Sequence, residues 1–242
     1  MLVFIFFDMI KKFKILGLLL IGFLTVNIFS ITNANAEEKR GEGKWMFRTR
    51  FVNVKPKSPI KLVADIPSAE GDEEVFLKLK KSNTIEFDTT YFFSKTLATE
   101  LSILKSKNNV NLSGLDLGSL SLMPVTLTFQ YHFVDLGKFK PYFGLGLNYT
   151  RFSYNKNKGY ELVTMEYKND FGYALQLGFD YKMSYNFGFN FDIKQIYLKT
   201  KPSIKADNYD ENNQFQEGEK FYLNKININP LMIAVGFYYR VN

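Results

Sequence analysis

The amino-acid sequence predicts an all-β protein, an eight-stranded antiparallel transmembrane β-barrel with short periplasmic turns and long extracellular loops. Three observations lead to this prediction: apolar residues at every second position of repeated segments, connections of alternating length, and an N-terminal export signal. Successive side chains of a strand point to opposite faces, so the alternation separates an apolar face from a polar one. In a membrane barrel the apolar face contacts lipid and the polar face lines the lumen.

Residues 1–36 have the features of a secretory signal peptide, which leaves residues 37–242 for the barrel. KKFK (11–14) supplies positive charge, ILGLLLIGFLTV (15–26) is apolar, and Ala34-Asn35-Ala36 is a small-residue cleavage site. The alternative, a membrane-anchoring helix, is disfavoured because the apolar stretch is short. No later segment has the roughly 18 consecutive apolar residues of a membrane-spanning helix. An exported chain that stays in a membrane would therefore be a barrel.

The first four predicted strands separate large apolar residues from charged or small ones. In KWMFRTRFVNV, Phe47 and Phe51 alternate with Arg48 and Arg50. The segments NTIEFDTTYFF, TLATELSIL and VTLTFQYHF follow the same period of two. These four strands are residues 44–54, 83–93, 96–104 and 125–133.

The last four predicted strands repeat the pattern. FGYALQLGFDYKM is the most fully sorted, since Leu175, Leu177 and Phe179 alternate with Gln176 and Asp180. PYFGLGLNYTRF, FGFNFDIKQIYL and LMIAVGFYYRV show the same separation. These strands are residues 141–152, 171–183, 187–198 and 231–241.

The connections favour a membrane barrel over a soluble sandwich, which would bury the apolar face instead. SKT, DLGKFK and SYN are short, whereas four other connections are long and polar. Short turns on one side, long loops on the other and an even strand number are typical of bacterial outer-membrane barrels, as are aromatic residues near both strand ends. The long connections are approximately residues 55–82, 105–123, 157–168 and 200–222.

Composition removes several classes of site. The chain has no Cys, which excludes disulfides, thiol nucleophiles and Cys-based metal sites. Its net charge of +7 is spread along the sequence and gives little support to nucleic-acid binding. His132 lacks a recognisable acid and nucleophile, and the acidic loop 207–212 lacks the glycine and terminal Glu of a calcium loop. We therefore predict no enzymatic activity, no cofactor, no metal site and no nucleic-acid partner.

The inward positions of the lower strands carry five basic and five acidic residues. An eight-stranded barrel has an interior only wide enough for side chains, so opposite charges there should pair and fill the bore. This predicts an ion-pair plug in place of a water-filled channel. Its predicted residues are Arg48, Arg50, Glu86, Asp88, Glu100, Asp180, Lys182, Asp192, Lys194 and Arg240.

Farther toward the extracellular end, the inward positions of four strands become apolar while outward ones, such as Arg151, become polar. An apolar chamber open to the outside is typical of a site for apolar solutes. The same composition suits a packed core, filled by these residues and by leucines of the second long loop (Leu112, Leu115, Leu117, Leu120), and the residues alone leave both interpretations open. The candidate ligand-binding residues are Val52, Val54, Phe152, Tyr154, Ile196, Leu198, Ile226, Ile228 and Met232.

Seven segments in order along nearly the whole mature chain resemble the OmpW family of bacterial outer-membrane proteins. The resemblance implies a barrel in the outer membrane, surrounded by its lipid, that passes small hydrophobic molecules. The segments are RTRFVNVKPKS (48–58), YFFSKTLATEL (91–101), LMPVTLTFQYHF (122–133), KPYFGLGLNYTRF (140–152), DFGYALQLGFDYKM (170–183), FNFDIKQIYL (189–198) and INPLMIAVGFYYR (228–240).

A closed lower lumen would force such a solute to leave sideways into the bilayer. Pro230 cannot donate a hydrogen bond to the strand ladder and marks a weak place in the wall. The alternative function is a structural or surface-recognition barrel with an inert lumen, whose long extracellular loops bind a partner.

Overall fold

The computed structural model describes residues 44–62, 75–112, 115–156, 163–206, 220–222 and 224–241. The predicted signal peptide and the acidic loop 207–212 lie outside these residues. Within the described residues, no helix is long and apolar enough to cross a membrane. The described strands are β1 (Trp45–Lys55), β2 (Ile60–Leu62), β3 (Val75–Leu79), β4 (Ser82–Phe92), β5 (Leu97–Leu104), β6 (Ser106–Leu112), β7 (Leu115–His132), β8 (Phe139–Lys156), β9 (Val163–Tyr167), β10 (Asp170–Lys182), β11 (Phe187–Thr200), β12 (Pro202–Ala206), β13 (Lys220–Tyr222), β14 (Ile226–Asn227) and β15 (Leu231–Val241).

Eight of these strands close a barrel, which confirms the predicted fold. Starting at β1, each strand pairs antiparallel with the next in the order β1, β4, β5, β7, β8, β10, β11 and β15. The last strand, β15, returns to pair with β1 along the full length of both. Closure removes the exposed edges that an open sheet would present, and leaves one continuous wall around a lumen.

The second long connection differs from the prediction. Residues 105–123 are predicted as a polar loop, but residues 106–112 form β6 and residues 115–123 belong to the first half of β7, and these two strands pair with each other. This hairpin continues the wall beyond the membrane, where both faces of the sheet lose the need for a strict apolar pattern. Serine, asparagine and lysine alternate there with a few apolar residues, so the strand signal in the sequence is weak.

The other long connections also contain strands. In the first, β2 pairs with β3, and β3 adds to the edge of β6. The third and fourth supply a separate three-stranded sheet, in which β12 lies between β9 and β13. The extracellular end therefore carries ordered strands that approach the mouth of the lumen.

The two faces of the wall are sorted as the alternation predicts. On β10, Leu177 is 64% exposed, whereas Gln176 and Asp180 are each 1% exposed. The outward face is apolar and includes Phe87 and Leu145, so it suits contact with lipid chains. Aromatic rings pack on one another near the strand ends, as Phe187 and Phe237 do with centroids 5.4 Å apart.

Candidate functional site: the lumen and its wall

Arg48 links opposite sides of the lower lumen. It projects inward from β1 and is fully shielded from solvent. Its Nη2 lies 2.8 Å from Asp180 Oδ2 on β10, and its Nη1 lies 3.4 Å from Asp88 Oδ1 and 3.3 Å from Glu100 Oε2. Because β10 is separated from β1 by two strands on one side and four on the other, this guanidinium crosses the bore.

Arg50 is the next inward-facing residue of β1 after Arg48, and it contacts four carboxylates. Its Nη2 lies 2.9 Å from Glu100 Oε2 and also donates to Asp88. Its Nε lies 3.2 Å from Glu86 Oε1, and its Nη1 lies 3.1 Å from Asp192 Oδ2. The planar guanidinium presents five N–H donors, which allows one side chain to bind several acids at once.

Lys194 supplies the third cation of this network. Its Nζ lies 3.3 Å from Glu86 Oε2 and 3.4 Å from Glu100 Oε1, and it donates to Ser102 Oγ at 2.9 Å. These contacts join β11 to β4 and β5 through the interior. A buried cation is tolerated only where acceptors replace its water shell, and here three acceptors do so.

Neutral side chains complete the network around the charges. Gln130 and Gln176 each donate to Glu100 at 3.0 Å, and Gln176 donates to Asp192 at 2.7 Å. Tyr142 also donates to Asp192, at 2.7 Å. Tyr142 lies opposite Gly178 in the β8–β10 ladder, where a Cβ would meet the Tyr142 hydroxyl oxygen. The glycine therefore makes room for the ring inside the narrow bore.

Above this network the lumen is apolar. One contiguous cluster includes inward residues of β1, β8, β11, β14 and β15. Its buried members are at most 7% exposed. The barrel contributes Val52, Val54, Phe152, Ala174, Ile196, Leu198, Ile226, Ile228, Met232 and Ala234 to the cluster, and Tyr154 packs against it.

Extracellular strands fill the space between these walls. The β2–β3 hairpin brings Ile60, Leu77 and Leu79 into the same cluster, and β9 brings Met165. The β5–β6–β7 wall adds Leu104, Val110, Leu120 and Leu122. Burial among these residues raises the pKa of the Tyr167 hydroxyl, with a smaller contribution from Tyr154. The apolar end of the lumen is thus closed by side chains from the extracellular hairpins.

The wall beside this cluster is interrupted at Pro230. Ile196 N–H donates to Pro230 O at 3.1 Å, but the proline ring has no N–H to return to Ile196 O. The amide of Gln195 takes its place, since Nε2 donates to Ile196 O at 3.0 Å and to Asn229 O at 3.1 Å. A side chain here replaces a missing backbone hydrogen bond.

The next hydrogen bond of the same ladder is also made by a side chain. Asn229 has a positive φ of 32°, which displaces its backbone from the regular strand. Leu198 N–H donates to Asn229 Oδ1 at 2.8 Å, while Ile228 O accepts from Lys57 N–H at 2.7 Å. We call residues 228–230, together with Gln195, the β11–β15 seam.

Pro124 marks a second interruption, between β5 and β6. The β5–β7 ladder ends at Ile103 and Val125, and the β6–β7 ladder begins at Ser106 and Leu122. His132 N–H donates to Thr96 O on the β5 side, so the backbone N–H groups of the even-numbered residues of β7 point toward β5. An N–H at position 124 would point the same way, but Pro124 has none. The break at Lys105 follows from this missing donor.

A family model for the OmpW family matches residues 41–241. The chain belongs to the OmpW family. The match spans all the described strands of the barrel, so the two-part lumen is that of an OmpW-type protein of the bacterial outer membrane.

Similar proteins agree with this assignment. The uncharacterized outer-membrane protein y4mB of Sinorhizobium fredii is 36% identical over 203 residues, 83% of this chain and 81% of its own. The dibenzothiophene metabolism operon protein PahQ of Pseudomonas aeruginosa is 25% identical over 170 residues, 67% of this chain and 77% of its own. The crystal structure of the outer membrane protein OprG from Pseudomonas aeruginosa is 25% identical with a TM-score of 0.68, covering 83% of this chain and 97% of that one.

The charged residues predicted for this OmpW-family lumen fall into two groups. Eight of the ten, all except Lys182 and Arg240, form the central network. Lys182 and Arg240 instead line a cavity of about 20 Å³ at the periplasmic mouth, which has room for roughly one water. The Arg240 guanidinium carbon lies 4.0 Å from the centroid of the Phe92 ring.

The apolar residues predicted as a ligand site all lie in or against one cluster, together with others that the sequence reasoning missed. Ile60, Leu77 and Leu79 were overlooked because their segment reads as a polar loop. The alternation of Leu77 and Leu79 with Lys78 is the signal that points to them. In the lower network, Gln130 and Gln176 occupy polar positions of the alternating pattern, but the pattern alone does not indicate that they bind the charged residues.

His132 lies at the periplasmic end of the lumen. Its Nε2 lies 3.0 Å from Gln130 Oε1, and its ring packs against Phe92 and Tyr142 with centroids 4.9 Å and 4.8 Å apart. The ring is 1% exposed and lines the small cavity at the mouth. Its described partners orient and cover it, as expected for a packed, hydrogen-bonded side chain.

Proposed function

We propose that this OmpW-family barrel takes up small hydrophobic molecules from the outside into its apolar upper lumen and releases them sideways into the bilayer. The observation that carries the proposal is the position of the β11–β15 seam. Ile196 and Ile228, which flank Pro230 in the wall, belong to the apolar cluster and are each 0% exposed. The weakest part of the backbone ladder therefore borders the part of the lumen suited to apolar solutes.

The lower lumen supports a sideways exit. The three buried cations and their carboxylate partners join strands on opposite sides of the bore, so a solute moving straight down would have to separate them. Removing one partner of a buried ion pair costs about 3–5 kcal/mol, because the other charge is left uncompensated. Opening a seam held by a few neutral hydrogen bonds, each contributing about 1 kcal/mol, is easier.

Entry requires the extracellular hairpins to move. Ile60, Leu77 and Leu79 occupy the upper lumen from the β2–β3 hairpin, whose described strand pairing with the barrel wall is a short contact between β3 and β6. An apolar solute that replaced these side chains would keep the cluster dry and would preserve its apolar contacts. The hairpin thus acts as a displaceable cover.

The name of one relative supports a hydrophobic solute. PahQ, which is 25% identical, is described as a dibenzothiophene metabolism operon protein. Dibenzothiophene is an apolar aromatic compound of the size that a few large side chains occupy. The solute class proposed for this chain is accordingly small, uncharged and apolar.

We propose no catalytic role for the lumen. Its one histidine, His132, is packed between two aromatic rings at the end away from the apolar cluster. An acyl-transfer or hydrolytic site would require a nucleophile and an orienting acid beside this histidine.

A surface-recognition barrel with an inert lumen is the second candidate. The complete burial of the apolar cluster favours it, because a packed core would look the same. In that case the extracellular strands would be held in place by the cluster and would serve a partner outside the cell.

Uptake of the fluorescent probe N-phenyl-1-naphthylamine by cells producing each variant separates the two. Ile228→Asp puts a charge into the apolar cluster, whereas Asn227→Asp puts it on the exposed face one residue away. With equal amounts of folded barrel, uptake should fall for Ile228→Asp and stay unchanged for Asn227→Asp. Equal uptake by both variants would favour the inert lumen.

A further inference from the structure

The outward faces of the barrel strands end in basic residues at the extracellular side. Five described positions share two properties: each is exposed, and each continues the outward-facing series of its strand beyond the lipid-facing residues. A sixth, Lys225, precedes β14 in the same way. We call these six residues the outer cation belt: Lys55, Lys81, Lys105, Arg151, Lys199 and Lys225.

The belt lies directly above the lipid-facing surface. On β1 the outward series runs from Phe51, which is 55% exposed, to Lys55 two outward positions later. On β5 it runs from Ile103 to Lys105 at the next outward position, and Tyr197 of β11 precedes Lys199 in the same way. Lysine and arginine stems can lie along apolar surface while the charged ends reach the head-group region.

Two pairs of these cations lie on adjacent strands. Lys199 pairs with Asn227 in the β11–β14 ladder. Lys225 is the outward-facing residue before Asn227, so it lies diagonally across from Lys199. The β1–β4 register, in which Val54 pairs with Ser82, places Lys55 directly beside Lys81. Like charges on adjacent strands destabilise a sheet unless an anion lies between them.

Acidic residues do not compensate this charge among the described residues. The surface ion pair that the described extracellular strands make is between Lys220 and Glu166 of the separate three-stranded sheet. The carboxylates of the barrel network face inward and are already bound to Arg48, Arg50 and Lys194. An external anion is therefore the natural partner of the belt.

We infer that the outer cation belt binds the phosphate groups of the lipid that forms the outer leaflet around the barrel. The ligand class is an acylated sugar carrying phosphates: its chains would lie against the apolar outward face and its phosphates would reach the lysines. Lys199 and Lys225 form one such contact, and Lys55 and Lys81 form the other. A lysine contacts a phosphate mainly as a point charge, so several lysines on adjacent strands suit a lipid with more than one phosphate.

The test compares lipid A carrying its two phosphates with the same lipid after phosphatase treatment. The purified barrel is titrated with each in a neutral detergent, and bound lipid is counted by native mass spectrometry. We expect at least tenfold weaker binding of the dephosphorylated lipid. Lys199→Gln with Lys225→Gln should weaken binding of the phosphorylated form about 25-fold, since one lysine near a charged lipid surface contributes about fivefold.

The matched control removes the same charge from the opposite end of the barrel. Lys95→Gln with Lys138→Gln changes two exposed residues of the periplasmic turns and should leave the affinity unchanged. Equal binding of the two lipid forms by the unaltered protein overturns the inference without any variant. An equal loss of lipid affinity in both double variants also overturns it. Full displacement of the lipid by millimolar inorganic phosphate overturns it as well, because it would identify a site for the free anion.

Discussion

Glu100 Oε2 lies 2.9 Å from Arg50 Nη2 at the centre of the lower lumen. The same carboxylate contacts Arg48 and Lys194, and it accepts hydrogen bonds from two glutamine amides. Glu100 thus connects all three buried cations of the network. Five carboxylates surround these three cations, so the loss of an acid and the loss of a base have different consequences.

Replacing Arg50 should destabilise the barrel more than replacing Glu100. Arg50→Met leaves its four carboxylate partners with only two neighbouring cations, and should lower the free energy of unfolding by about 3–5 kcal/mol. Glu100→Gln keeps a hydrogen-bonding group and leaves four carboxylates for three cations, so its effect should be smaller.

Urea unfolding in lipid vesicles measures this difference. The emission of Trp45, the single tryptophan of the chain, reports the transition. Lys95→Gln, in an exposed periplasmic turn, is the control and should shift the midpoint little. A larger loss for Glu100→Gln than for Arg50→Met would contradict the charge count.

The intact barrel should show little or no ionic conductance in planar bilayers. Arg48 crosses the bore to Asp180, and paired side chains leave little continuous water there. Arg48→Ala removes this link and should raise the leak current several-fold. Phe87→Ala, which truncates a lipid-facing ring, should not. Large, stable conductance of the unaltered barrel would show that the network does not close the lumen.

Removing the Gln195 amide should loosen the β11–β15 seam. Gln195→Leu leaves Ile196 O without the donor that replaces the missing N–H of Pro230, at a cost of about 1–3 kcal/mol for an unsatisfied buried acceptor. Deuterium uptake should rise in peptides covering residues 193–200 and 226–233 and stay constant elsewhere in the barrel.

A neighbouring outward residue provides the control for the seam. Tyr197→Phe keeps the ring that stacks on Tyr173, with centroids 4.7 Å apart, and touches no seam hydrogen bond. Its deuterium uptake should match that of the unaltered protein. If Gln195→Leu exchanges no faster than Tyr197→Phe, the seam is held by something other than the amide.

Adding one methyl group at Gly178 should disturb the packing of the lower lumen. The Cβ of Gly178→Ala would lie 2.5 Å from Tyr142 Oη and 2.6 Å from Phe191 O, too close for either. Such overpacking typically costs about 1–3 kcal/mol. The measurement is the urea midpoint, and Tyr142→Leu should make the added methyl less damaging because the ring is gone. Additive losses in the double variant would mean that Tyr142 is not the obstacle.

The sequence by itself determined which residues face lipid and which face the lumen. A strand has a side-chain period of two, so a shift by one residue would turn every apolar residue to the wrong side. That constraint is local and strong, which is why Leu177 and Asp180 were assigned to their faces without a structure. The same pattern gave the eight barrel strands and the change from a charged to an apolar lumen.

Only the tertiary structure decided which of these residues meet. The partners of Arg50 come from β4, β5 and β11, and the stagger between those strands follows from how the barrel closes. The β2–β3 hairpin reaches the upper lumen because β3 adds to the edge of β6, a long-range pairing that no local pattern indicates. The same holds for the role of Gln195. Its amide bonds to the carbonyl of the next residue, Ile196, but only the β11–β15 register places Pro230 opposite Ile196 and leaves that carbonyl without a backbone donor.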